Sequence, residues 1–174
     1  MITENLLVVG TWLAALAETQ DFKEIATDLQ QFDARFKVHK KLCLLQAAGA
    51  NLGYTFHWDL YGPYSAELGQ DLGAIIDPVY AQEIAARLSG ASLNDTGRAK
   101  LARAKALFGV PSQSLGVSED TWLEVVASLS FLKGLRGEKA SQNDVVDELL
   151  SKKAHVARET AELAWQKLEA GGLI

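Results

Sequence analysis

A chain of 174 residues, 48% of them hydrophobic, is long enough to bury a sizeable core as one domain without metal or disulfide staples. Its single cysteine, Cys43, excludes an intramolecular disulfide and points to a reducing compartment. The 22 acids outnumber the 17 bases for a net charge of -5, which weighs against a bare nucleic-acid binder, whose mark is a basic footprint.

The apolar periodicity predicts a string of helices with little room for sheet. Asn5 to Ala17 has Leu6, Val9, Leu13 and Leu16 at helical spacing, with Trp12 beside them. Glu4, Glu18 and Asp21 flank it where a signal peptide or a membrane-surface helix would carry bases. No apolar run reaches membrane-spanning length, so the expectation is a soluble cytoplasmic protein with no membrane role. Asp21 to Phe32 suggests a shorter helix, and Glu18 to Asp33 holds five acids against Lys23 alone, the composition of a solvated surface. Phe36 to Ala48 is apolar around most of its circumference after Lys41, as expected of a buried central helix ended by Gly49 and Gly53. Tyr54, Phe56 and Trp58 alternate with Thr55 and His57 in a strand pattern, and Ala91 to Leu93 is the expected pairing strand. Pro63 breaks regular structure, Ser65 can cap a helix over Tyr64 to Ile76, and Pro78 opens another that runs to Leu88. Asn94 or Asp95 can cap a helix to Phe108, and Pro111 to Val117 reads as a linker. Ser118 and Ser141 cap two further helices, and a last one places Ala157, Ala161, Ala164, Trp165 and Leu168 inward before Gly171 and Gly172.

The expected fold class is mostly α: a helical domain with a small two-stranded β element and winged-helix-like C-terminal helices. Residues 1–110 form the helical core domain with the Gly-Pro-Tyr-Ser turn. Residues 111–174 form a C-terminal helical lobe packed on it as one compact unit.

No glycine-rich phosphate loop, GxSxG elbow or HExxH pair is present, and three scattered histidines offer little acid–base chemistry. His39 and Cys43 stand four apart on one helix face. That spacing suits two zinc ligands completed by His57 or Asp59, or a nucleophile pair in a Cys-dependent hydrolase. Cys43 lies between Leu42 and Leu44 in the most apolar helix, however, and a buried inert thiol is the better reading. No cofactor or metal is expected.

One run stands apart. It contains KVHKKLCLLQ, a basic stretch opening an apolar helix, then GYTFHWDLYGPYSAEL, an aromatic strand entering Gly-Pro-Tyr-Ser, then Asp71-Leu72. LNDTGRAKL and the terminal AWQKLEAGGLI are weaker echoes. This pattern resembles the YwgA-like group of small prokaryotic proteins, related to SocA-like (Panacea) antitoxin domains. The resemblance touches about half the chain. It implies a mostly helical protein that interacts rather than catalyses, in a bacterial or phage defence or regulatory setting. Its partner would be a protein such as a toxin, a protease or a defence component, and a homodimer is a further option.

The residues assigned to the binding surface are the turn Tyr61, Gly62, Pro63, Tyr64 and Ser65 with Trp58, and the basic helix start Arg35, Lys37, Lys40 and Lys41. Aromatics would supply contact area and bases would pair with an acidic or nucleic-acid group. The plainer reading is that Tyr61 and Tyr64 only lock a strand-to-helix corner. The alternative function is a DNA-binding transcriptional regulator. Arg98, Lys100, Arg103 and Lys105 do not share one face, and the last helix exposes Glu159, Glu162 and Glu169, which would repel a phosphate backbone.

Overall fold

Local hydrogen bonds start most of the helices. In the computed structural model, which describes residues 1–174, Thr3 caps α1 (Glu4–Ala17), and Asp21 caps α2 (Phe22–Asp28). Helix α3 (Phe32–Ala47) follows without a side-chain cap. Ser65 caps α4 (Ala66–Ile76), and Asp77 caps α5 (Pro78–Arg87), whose proline occupies the first turn where no N–H is missed. Of the two candidate caps for α6 (Asp95–Lys105) it is Asn94 that accepts the Gly97 N–H, at 2.8 Å. Ser118 caps α7 (Glu119–Arg136), and Ser141 closes a reciprocal capping box with Asp144 at the start of α8 (Gln142–Lys152). Helix α9 is Arg158–Ala170. The chain is 66% helical, so the fold is mostly α, with one small antiparallel sheet. No helix is long and apolar enough to cross a membrane.

The sheet is a hairpin, not the long-range pair expected. Strand β1 (His57–Asp59) pairs with β2 (Gly62–Tyr64), with Trp58 opposite Pro63. Ala91 to Leu93 forms no strand; its Ala91 N–H bonds to Leu88 O and its carbonyl accepts from the Gln20 amide. The aromatic strand also starts later than the alternation suggests. The Gln46 side chain donates to Tyr54 O at 2.7 Å and accepts from Tyr54 N–H at 3.1 Å. One amide thus satisfies both backbone groups of Tyr54, and no strand partner is required there. Pro63, expected to break regular structure, sits inside β2, tolerated because a two-stranded hairpin leaves an edge with no donor to miss. Phe32, expected at the end of the second helix, instead opens α3.

One apolar cluster of 41 residues runs from Ile2 to Leu173. Its axis is α7, buried from Trp122 through Ser130 and packed on α3, α8, α9 and β2. A helix apolar around its circumference belongs in a core, and α7 fits that rule over its buried stretch, where Glu124 is the one charged exception. That exception helps build the corner described next.

A candidate interaction site at the hairpin corner

The hairpin turn is gripped from three sides. From α3, the Lys40 ammonium donates to Pro63 O at 2.8 Å. From the end of α8, Lys153 donates to Leu60 O at 3.0 Å and pairs with the Glu124 carboxylate of α7. From α7, Ser128 lies directly beneath Gly62, so close that a β-carbon there would overlap its Oγ. Gly62 also has φ +86°, a backbone region that L side chains avoid. Lys40 and Lys153 are 2% and 4% exposed, and Glu124 is 7% exposed. Buried charges this close are tolerated only when hydrogen-bonded or paired, so the turn and its clamps fold as a unit.

His39 completes the frame. Its Nε2 accepts the Ser65 N–H at 2.9 Å, which places the ring proton on Nδ1. The ring stacks on Tyr64 at 4.6 Å and 5°, and meets Phe56 edge-on. Burial, helped by the Lys40 charge, lowers its pKa to about 4, so the imidazole is neutral at physiological pH. Burial likewise lowers Lys40 to about 8, opposed by the charges of Glu124 and Asp59. The zinc and nucleophile readings of His39 with Cys43 gain nothing here. Nε2 is already engaged, burial pushes the Cys43 thiol up to about 12, and no group of three or more His, Cys, Asp or Glu stands within metal-binding reach.

Outside this frame the corner is apolar and exposed. Leu60 is 74% exposed, Phe32 66%, Tyr61 52% and Tyr64 42%. These are four of the seven large hydrophobic side chains that the protein leaves in solvent, so the exposure is concentrated, not scattered. Phe32, Tyr61 and Tyr64 border a cavity of about 360 Å³ that Arg35, Phe36, Lys40 and Asp59 also line. Phe36 meets Tyr61 edge to face at 6.0 Å.

The sequence-predicted residues divide into four groups. Tyr61, Tyr64, Arg35 and Lys40 converge on the cavity. Gly62, Pro63 and Ser65 are buried and hold the shape. Trp58 lies half-buried against Phe131 and the Lys152 and Lys153 ammonium groups. Lys37 and Lys41 turn elsewhere, toward the start of α7, where Lys37 pairs with Asp33, Glu119 and Asp120, and Lys41 with Glu119. Sequence reasoning missed Phe32, Phe36 and Leu60, and the Glu124–Lys153 pair, and it named Asp59 only as a possible metal ligand. The one signal for the pair was a lone carboxylate inside the apolar run of α7.

Several other basic groups are also engaged within the protein. Arg98 pairs with Asp95, Lys105 with Glu18, and Arg158 with Asp147 and Glu162. Arg103 donates to Ala48 O. No family model matches this chain, and no curated protein or solved structure matches it either.

Proposed function

We propose that this protein is a non-enzymatic interaction module, antitoxin-like or adaptor-like, whose docking surface is the hairpin corner. The observation that carries this reading is the concentration of exposed Phe32, Leu60, Tyr61 and Tyr64 on a turn clamped by buried charges. Aromatic side chains on a preorganised backbone give contact area at low ordering cost, the usual anchor of a binding surface. The resemblance to YwgA-like and SocA-like proteins supplies the setting: bacterial or phage defence or regulation, with a toxin, protease or defence component as partner. A cytoplasmic location fits the lone buried thiol of Cys43. The pairing of Lys37, Lys41, Arg98, Lys105 and Arg158 with carboxylates of the protein itself favours a protein partner over nucleic acid.

A photo-crosslinking amino acid at Tyr61, compared with one at Val79, tests the reading in producing cells. Val79 is 71% exposed, lies on α5 and does not line the cavity. The expected result is one discrete adduct from Tyr61 that is absent from Val79 and abolished by Tyr64→Ala. Equal, diffuse labelling from both positions would remove the corner from any interface.

A further inference from the structure

The cavity at the corner contains two cations whose donors the protein leaves largely unused. Lys40 is 98% buried, yet the protein offers its three N–H donors a single acceptor, Pro63 O, plus the face of Phe36 at 5.3 Å. No carboxylate lies within ion-pairing distance of it, in contrast to Lys153 beside Glu124. Arg35 directs Nη1 at the carbonyls of Leu29 and Gln30, at 2.7 and 2.8 Å, which anchors the guanidinium at the end of α2. Its Nε and Nη2 edge has no protein acceptor, and that edge is the fork that grips a carboxylate through two parallel bonds. The third charged lining group, Asp59, spends Oδ1 on the Leu60 N–H. Two cations therefore face one carboxylate, and the cavity accepts one further negative charge.

The walls set the rest of the ligand. Phe36, Tyr61 and Phe32 favour an apolar body next to the charge. The apolar surface does not end at the cavity: Leu60 and the outer faces of Phe32, Tyr61 and Tyr64 extend beyond it into solvent. A free small acid would fill about 360 Å³ and leave that rim wet, whereas a polypeptide covers both.

We infer that the corner cavity binds a carboxylate flanked by an apolar side chain on a partner polypeptide, with Arg35 and Lys40 holding the carboxylate and the rim aromatics holding the apolar residue. This deepens the proposed interaction function and rests on it.

The test titrates the whole protein with two pairs of probes, followed by backbone amide NMR. One pair is acetyl-Gly-Gly-Phe with a free C-terminal carboxylate and its C-terminal amide. The other is acetyl-Gly-Phe-Glu-Gly-amide and the same peptide with Gln for Glu. The expected result is that the acid of at least one pair binds about tenfold or more tighter than its neutral twin, as charge-assisted bonds predict, and shifts Asp59, Tyr61 and Tyr64. Arg35→Gln, outside the buried frame, should erase most of that preference, which avoids relying on Lys40→Met, a variant open to misfolding. Equal binding of acid and neutral twin, or no binding at all, overturns the carboxylate assignment. Binding of 3-phenylpropionate as tight as that of the peptides overturns the polypeptide assignment. A discrete Tyr61 crosslink together with no acid preference sinks this inference alone; loss of the crosslink as well sinks the docking surface.

Discussion

Acidification from pH 7 to pH 5 probes the frame that holds the corner together. His39 is 6% exposed, its Nε2 accepts from Ser65 N–H, and its pKa falls from 6.5 to about 4, mainly through burial. Below 6.5 the unfolded chain takes up a proton that the folded chain refuses until about pH 4. The stability contributed by the neutral ring is therefore complete above pH 6.5 and is lost as pH falls toward 4. Integrated between pH 7 and pH 5, the difference in proton uptake amounts to about 2 kcal/mol, and the full loss by pH 4 to about 3 kcal/mol. Urea unfolding followed by tryptophan fluorescence measures it, since all four tryptophans report on the fold. The control is His39→Gln, whose amide oxygen can still accept from Ser65 but takes up no proton. Wild type should lose about 2 kcal/mol more than the variant on moving from pH 7 to pH 5. Asp120, whose pKa burial raises, contributes with the opposite sign, but equally to both proteins, so it cancels. Parallel pH dependence in the two proteins would mean that the ring is hydrated and that the clamp on Ser65 is not as described.

Two further outcomes follow from the clamps. Gly62→Ala should cost about 2 kcal/mol, part from the positive φ and part from overlap with Ser128 Oγ. Ser128→Ala removes a buried hydroxyl with no partner and should be neutral or slightly stabilising; it also leaves its Cβ an ordinary 3.7 Å from the new methyl, so the double variant should recover about 1 kcal/mol. An identical loss in both backgrounds in urea melts would refute the overlap. Glu124→Gln should cost about 3 kcal/mol by leaving Lys153 buried without its counter-charge, with partial recovery when Lys153→Met is added. A loss below about 1 kcal/mol would indicate a pair as well hydrated as one on the surface.

The helices were legible because their signals are local. Ser65, Ser118 and Ser141 each accept a backbone N–H three residues on, a bond that needs nothing from elsewhere in the chain. The hairpin was less so. The alternation of Tyr54, Phe56 and Trp58 is a true pattern of sidedness, yet strand length depends on which backbone groups need partners, and Gln46 had already served Tyr54. At the site, the turn from Tyr61 to Ser65 stood out through its Gly-Pro chemistry. The basic stretch looked like one edge, and the tertiary structure divides it between a cavity and a surface ion network.

By itself, then, the sequence determined a mostly helical chain, its caps at Ser65, Ser118 and Ser141, its buried thiol and the sharp corner at Gly62-Pro63. Only the tertiary structure decided what each charge does. Lys37 and Lys41 are spent because α7 brings Glu119 and Asp120 against α3, Lys153 is spent because Glu124 meets it inside the core, and Lys40 keeps unused donors because no carboxylate is folded against it. Caps are set within a single turn of helix, whereas the state of a charge is set by whatever distant segments pack around it.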